Sequence, residues 1–341
     1  MIELGCVITD GLADVKKAAL EAEQMGFDGV WTVETKHDPF FPALMAADNT
    51  AKVRVGTSVA IAFARSPMTV ANVGYDLQVH SQGRFVLGLG SQIRAHIENR
   101  FSMPWGHPAA RMREFVLALR AIWASWQEGT RLDFNGDYYR HTLMTPEFNP
   151  GPNPYGPPPV VLGGVGERMT EVAGEVADGL FAHAFTTERY LREVTLPALA
   201  RGRARAVKER SAFEIACPVL IVTGRTPERM EIAAESVRQR IAFYASTPAY
   251  RPVLAAHGAE ALQGELNALS KQGKWVEMGR LIDDGLLNTF AVVAEPADVG
   301  LEIEKRFSGI LDQVILFPPY ELDITERAGV LEGFKHSLQP R

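Results

Sequence analysis

The sequence predicts an α/β fold, a single (β/α)8 TIM barrel in which residues 1–341 form one domain. Two observations lead there. Short apolar runs alternate with amphipathic helical stretches, the pattern of parallel βαβ units. The runs number eight, and eight such units close most economically into a barrel, which spans ~200 to over 400 residues as one unit. A doubly wound sheet is the competing architecture.

The first run is IELGCVIT at 2–9. Asp10 is expected to cap a helix whose Val15, Ala18, Ala19, Ala22 and Met25 recur at helical spacing until Gly26 and Gly29 stop it. GVWTVE at 29–34 is the second strand, followed by a polar loop and a helix through 41–51. The third strand is VRVGTSVA at 53–60, a helix starts at Pro67, and RFVLGLG at 84–90 is the fourth strand. VVLGG (160–164), GLFAHA (179–184), FEIACPVLIVTG (213–224) and DQVILFP (312–318) supply the remaining four.

Two stretches exceed this repeat and read as insertions. After strand 4, residues 91–158 hold an amphipathic helix (Met112, Phe115, Val116, Leu119, Ile122, Trp123, Trp126), a hairpin-like DFNGDYY and the proline-rich PEFNPGPNPYGPPP. This segment is expected to lie over the barrel mouth. Between strands 7 and 8, residues 225–311 open with Thr226 as a cap and Pro227 at the first helical position, and include TFAVVA. They are expected to shape the substrate side. No disordered linker or repeat marks a domain boundary.

A chain 46% hydrophobic and 22% charged can bury a large core without metals or disulfides. Its formal charge of -6, with basic residues scattered among acidic ones, argues against a nucleic-acid partner. Cys6 and Cys217 stand far apart without a CxxC partner, which fits a reducing cytoplasm. The N-terminus reads as a strand and not as a signal peptide, and no apolar run approaches the ~18 residues of a membrane span. His96, His107 and His141 lack metal-ligand spacing, so no metal is assigned.

Glycines mark two strand ends. Gly88 and Gly90 in LGLGS would let a flat ring or phosphate approach the backbone; a tight turn with close helix packing is the alternative. Gly163, Gly164 and Gly166 in LGGVGERM precede a helix whose first N–H groups would cradle a phosphate, with Arg168 adding charge; the alternative is an ordinary glycine-rich loop.

FDGVWTVETKHDP, VRVGTSVAIAFARSP, RFVLGLGSQIRAHIENRF and PVVLGGVGERMTEVAGEVADG, in this order, resemble the luciferase-like monooxygenase superfamily, and within it the branch using the deazaflavin coenzyme F420. The resemblance covers nearly the whole chain. It implies an F420-dependent oxidoreductase acting on a small molecule, a homodimer by analogy, with flavin mononucleotide (FMN) as the alternative cofactor. It also implies a bulge with a cis non-proline peptide at Ser58–Val59 backing the cofactor's central ring. Ala60, Gly88, Gly90, Ser91, Gly163, Gly164, Val165, Gly166 and Arg168 complete the expected cofactor contacts.

The chain departs from the family's usual Asp-His pair after the second strand. Glu34 takes the acidic position, Thr35 falls where histidine is expected, and His37 follows two residues later. His37 is expected to donate the proton, since imidazole is the common general acid near neutral pH, and Glu34 to hold the cofactor or tune the site. Sugar-phosphate-active relatives carry a carboxylate after the fourth strand where Ile93 stands, which argues against that substrate class. His183, at the end of the sixth strand, is the expected substrate contact. Two other readings of the scaffold are an oxygen-using monooxygenase with reduced FMN and a non-catalytic barrel that stores or senses the cofactor. The missing histidine beside Glu34 is the one feature favouring the last.

Overall fold

The computed structural model describes residues 2–9, 11–206 and 212–337. Eight strands carry the fold: β1 (Glu3–Ile8), β2 (Gly29–Thr32), β3 (Arg54–Thr57), β4 (Phe85–Gly90), β5 (Val160–Gly164), β6 (Gly179–Ala182), β7 (Glu214–Val222) and β8 (Gln313–Phe317). Hydrogen-bonded neighbours run β7, β8, β1, β2, β3, β4, β5, β6, and β6 pairs with β7 in turn, the strand order of a (β/α)8 barrel. The β1–β2 and β7–β8 ladders are parallel. The TFAVVA segment contributes a further short strand, Ala291–Val293, parallel to β7.

The chain divides into two compact units, a first of Leu4–Phe181 with Ala198–Glu214 and a second of Met1–Glu3, Ala182–Pro197 and Ile215–Arg341. The divisions fall inside β1, at the end of β6, within the helix Leu196–Arg203 and inside β7, at none of which the composition is that of a linker.

In the first unit the helices named below are α1 (Leu12–Met25), α2 (Phe40–Asn49), α3 (Pro67–His80), α4 (Pro108–Glu128) and α5 (Glu167–Val176). Asp10 lies outside the described residues; the residue at the start of α1 is Gly11, and Gly26 ends the helix at φ 89°, a left-handed conformation that glycine adopts without a Cβ penalty. Ser66 caps α3 by accepting from Thr69 N at 3.2 Å, with Pro67 at the first helical position. Trp31, Phe85, Leu87 and Leu89 are fully buried, each side chain contributing ~1.5–3 kcal/mol.

α4 buries the apolar face that its periodicity predicts, but it packs against α3 and α5. Trp123 Nε1 donates to Ala71 O of α3 at 3.2 Å, and Arg120 donates to Val176 O at the end of α5. It is therefore the regular outer helix of the fourth βα unit and not an insertion over the mouth. The proline-rich stretch behind it is tied down by Asn153, whose N–H donates to Tyr75 Oη at 2.8 Å, and Tyr155 lies against Gly83, just before β4. That segment sits toward the N-terminal strand ends. The DFNGDYY hairpin forms as an antiparallel pair, Phe134–Asn135 with Arg140–His141.

The second unit holds α6 (Pro227–Ala245), capped by Thr226, which accepts from Arg229 N. Val237, Ile241, Val253, Leu254, Leu266 and Phe290 form its core with Leu220 and Val222 of β7.

One device recurs at strand starts. Asp28, Asp178 and Asp312 each precede a strand, and each carboxylate accepts at 2.8 Å the N–H of one residue on a neighbouring strand: Leu4, Val160 and Ile215. Each aspartate's own N–H returns to the carbonyl of that same residue. The reciprocal pair satisfies backbone groups that the ladder leaves open. Asp312→Ala is expected to cost roughly 1.5–3 kcal/mol, as loss of a hydrogen bond to a charged acceptor does. Urea unfolding measures it, and a midpoint equal to wild type would contradict it.

Candidate functional site

The chain leaves β3 at Thr57, three residues earlier than its sequence pattern predicts; the last rung of the ladder to β2 is Ser58 N donating to Thr32 O at 2.7 Å. The Ser58–Val59 peptide is cis. Ala60–Ile61 then forms a separate short strand, pairing in parallel with Leu89 and Gly90 of β4. The result is a bulge at the C-terminal end of β3, with Ser58 and Val59 half-buried and Ala60 fully buried.

The strand-end glycines are explained by this bulge. A Cβ on Gly90 would lie 2.6 Å from Val59 Cγ2, and one on Gly163 would lie 3.3 Å from Val59 Cγ1. The Val59 side chain thus occupies the space that side chains on β4 and β5 would take. Gly88 is different: a Cβ there would meet Thr57 O at 1.7 Å and the Phe181 ring at 2.9 Å. The room expected for a flat ring at Gly88 is filled by the barrel wall itself, where Thr57 Oγ1 donates to Gly88 O at 2.6 Å.

Glu34 lies beyond β2, which ends at Thr32, whose hydroxyl donates to Pro39 O at 2.8 Å. The Glu34 side chain is only 5% exposed. Its Oε2 accepts from Ile61 N and from Arg65 Nη1, each at 2.7 Å. Arg65 also donates through Nη2 to Asp38 Oδ2 at 2.6 Å. Burial works against the guanidinium's charge, but the two carboxylates outweigh it and hold its pKa above the ordinary arginine value. Glu34 is therefore engaged within the chain, while His37 is exposed on the loop and makes no hydrogen bond among the described residues.

After β5, α5 begins at Gly166, with no side chain capping its N-terminus. A Cβ on Gly166 meets nothing within 4 Å, whereas one on Gly164 would sit 3.3 Å from Leu180 Cδ1 and 3.4 Å from Met169 Cγ. Gly164 is a packing glycine; Gly166 is the open one. Arg168 is exposed with no ion pair among the described residues, and the neighbouring Glu167 is paired with Arg201 at 2.7 Å. Ser91 is half-buried and donates to Gln92 O at 3.1 Å. Ile93 is 55% exposed.

His183 follows β6 in the second unit, where its ring lies 4.7 Å from each of the Tyr244 and Tyr250 rings. Nδ1 accepts from Phe185 N at 3.0 Å, so the neutral ring carries its proton on Nε2, which faces Tyr250 Oη at 3.2 Å. Burial pushes this imidazole down to about 4. It is neutral at pH 7, with its one N–H committed to Tyr250. Cys217 is buried, its thiol pushed up to about 12 by desolvation. Among the described residues, no group of three or more His, Cys, Asp or Glu side chains is placed to hold a metal ion, and no helix is long and apolar enough to cross a membrane.

The family described as luciferase-like monooxygenase matches residues 5–313. The chain belongs to that family. It is 53% identical over 314 residues, 92% of each chain, to an uncharacterised protein of Mycobacterium tuberculosis. It is 26% identical over 280 residues, 78% of this chain and 81% of the relative, to an F420-dependent glucose-6-phosphate dehydrogenase of Amycolatopsis mediterranei. In fold it is similar to the coenzyme F420-dependent tetrahydromethanopterin reductase of Methanopyrus kandleri, with a TM-score of 0.79 at 20% identity over 97% of both chains.

Within this luciferase-like chain, Arg65 and Asp38 are the residues that sequence reasoning missed. Both stand inside motifs that carry the resemblance. The legible signal was a lone arginine before the Ser66-Pro67 helix start, opposite an acidic pair four residues apart.

The His183 environment yields a pH dependence. Between pH 6.5 and about 4 the unfolded chain binds a proton at this imidazole and the folded chain does not. Stability is then lost as pH falls through that window, by up to about 3 kcal/mol. His183→Gln is expected to flatten the fall in melting temperature across it. An unchanged slope would contradict the burial assigned to this ring.

Proposed function

We propose that this chain is a coenzyme F420-dependent oxidoreductase that moves a hydride between the deazaflavin C5 and an unsaturated or carbonyl-type carbon of a small organic substrate. The observation that carries the reading is the Ser58–Ile61 bulge, seated by Val59 against Gly90 and Gly163 and followed along β5 by the open, uncapped start of α5. Ser58 and Val59 would back the ring. The N–H groups from Gly166 onward, with Arg168, would hold a phosphate, since helix starts favour anions. These residues fit such a group: Gly166 leaves open space, Arg168 makes no ion pair among the described residues, and Arg201 neutralises the adjacent Glu167.

The bound coenzyme would supply the hydride. The chain supplies position and a proton. His37, exposed between the anchored Glu34 and Asp38, is assigned as the general acid that balances charge on the substrate. Glu34 tunes the site through the bulge, because its oxygen is bonded to Ile61 and Arg65. His183, neutral and with both ring nitrogens engaged by Phe185 and Tyr250, is not assigned as the acid. The exposed Ile93, in place of a carboxylate, supports a substrate other than a sugar phosphate. The second reading, a monooxygenase using reduced FMN, is favoured by the description of the matching family.

Titration of the purified protein with F420 and separately with FMN, followed by fluorescence, separates the two readings. Saturable binding of F420 and weak binding of FMN is expected; the reverse preference would overturn the first reading. Gly166→Val tests the phosphate seat, because its φ of -87° and open surroundings accept a side chain. Its melting temperature should equal wild type while F420 affinity falls at least about tenfold. Unchanged affinity would remove α5 from the site. Once a substrate is identified, His37→Asn should lower turnover ~10²- to 10⁴-fold with cofactor affinity retained, and full activity would dismiss His37 as the acid.

A further inference from the structure

We infer that Arg65 is a positioning residue that locks the Ser58–Ile61 bulge to the loop presenting His37, so that one guanidinium sets both the cofactor seat and the proton donor. The inference rests on the cofactor and acid assignments proposed above.

Arg65 grips the bulge twice. Nη1 donates to Ile61 O at 3.1 Å, and it holds the Glu34 carboxylate at 2.7 Å, whose Oε2 accepts Ile61 N, also at 2.7 Å. Both backbone groups of Ile61 are thereby fixed through one arginine. Ile61 pairs with Gly90, and Gly90 lies against Val59, so a shift at Ile61 is passed to the residues expected to back the ring.

The other end of the guanidinium fixes the loop. Nη2 donates to Asp38 Oδ2 at 2.6 Å, and Asp38 Oδ1 accepts from Phe40 N at 2.9 Å at the start of α2. The guanidinium carbon also lies 5.3 Å from the centre of the Phe40 ring. Glu34 and Asp38 are thus held at the two ends of a short arc. Between them the side chains of Thr35, Lys36 and His37 are exposed and make no hydrogen bond among the described residues. Within the arc, the Thr35 carbonyl accepts from Arg100 at 2.6 Å. His37 therefore takes its place from the anchors and not from contacts of its own.

Only a planar fork reaches both carboxylates and a carbonyl at once. Lysine, a point charge on a flexible stem, holds one partner at a time. Losing the fork leaves the Glu34 carboxylate buried with the single Ile61 N–H as its partner, an expensive state that loosens the surroundings.

The test compares wild type, Arg65→Lys and Asp38→Asn by hydrogen–deuterium exchange of segments 33–39 and 58–62 together with F420 titration. Arg65→Lys is expected to speed exchange in both segments and to weaken F420 binding roughly tenfold. Asp38→Asn is expected to speed exchange in 33–39 alone, with F420 affinity within about twofold of wild type. A residue that merely stabilises the fold would raise exchange across the first unit, α1 included, and that pattern overturns the inference. So does wild-type exchange in either segment of Arg65→Lys, or a loosened bulge in Asp38→Asn. If wild type fails to bind F420, the functional reading falls, and the exchange patterns still decide whether Arg65 couples the two segments.

Discussion

The Glu34 carboxylate, buried and bonded at 2.7 Å to both Ile61 N and Arg65 Nη1, holds the chain where it departs from β3. Without it the Ala60–Ile61 strand would keep only its short pairing with Leu89 and Gly90 and the bond from Arg65 Nη1 to Ile61 O. With it, Val59 is held in the space that Gly90 and Gly163 leave empty. Three motifs separated in sequence therefore answer to one geometric demand: a glycine at the end of β4, another near the end of β5, and a branched residue in the bulge between β3 and β4. A buried carboxylate persists in such a place because an arginine neutralises it and a backbone N–H completes its hydrogen bonding.

Much of this architecture is legible in the sequence. The eight apolar runs correspond to the eight barrel strands, and the 3.6-residue spacing of Met112, Phe115, Leu119, Ile122 and Trp126 marks the buried face of α4. What periodicity does not convey is the partner of an apolar face. α4 was expected above the barrel mouth, yet α3 and α5 cover it. The strand ends were blurred for a related reason. VRVGTSVA reads as one strand-forming run through residue 60, and the sequence does not record that pairing with β2 ends after the bond from Ser58 N to Thr32 O.

The candidate site was legible in its glycines and less so in their reasons. Gly90 and Gly163 make room for Val59, Gly88 and Gly164 pack against Thr57, Phe181, Leu180 and Met169, and Gly166 alone of these five faces open space. A glycine's purpose depends on what occupies the missing side chain's volume, which one sequence does not record. The partners of Glu34, Ile61 and Arg65, lie beyond the local sequence window, so its anchoring of the bulge is not legible from the sequence. His183 gave the opposite lesson: its position after β6 was clear, while the burial that keeps it neutral comes from Tyr244 and Tyr250, some sixty residues on by the chain's numbering.

The central claim is that the bulge after β3 and the start of α5 form one cofactor seat within the first unit. A crystal structure of the protein with F420 bound tests it most directly. The account predicts the deazaflavin ring against the Ser58–Val59 peptide and a phosphate at the N–H groups from Gly166 onward, with the Glu34–Arg65–Asp38 network intact. A ring bound away from Ser58 and Val59, or a phosphate held elsewhere than α5, would contradict it.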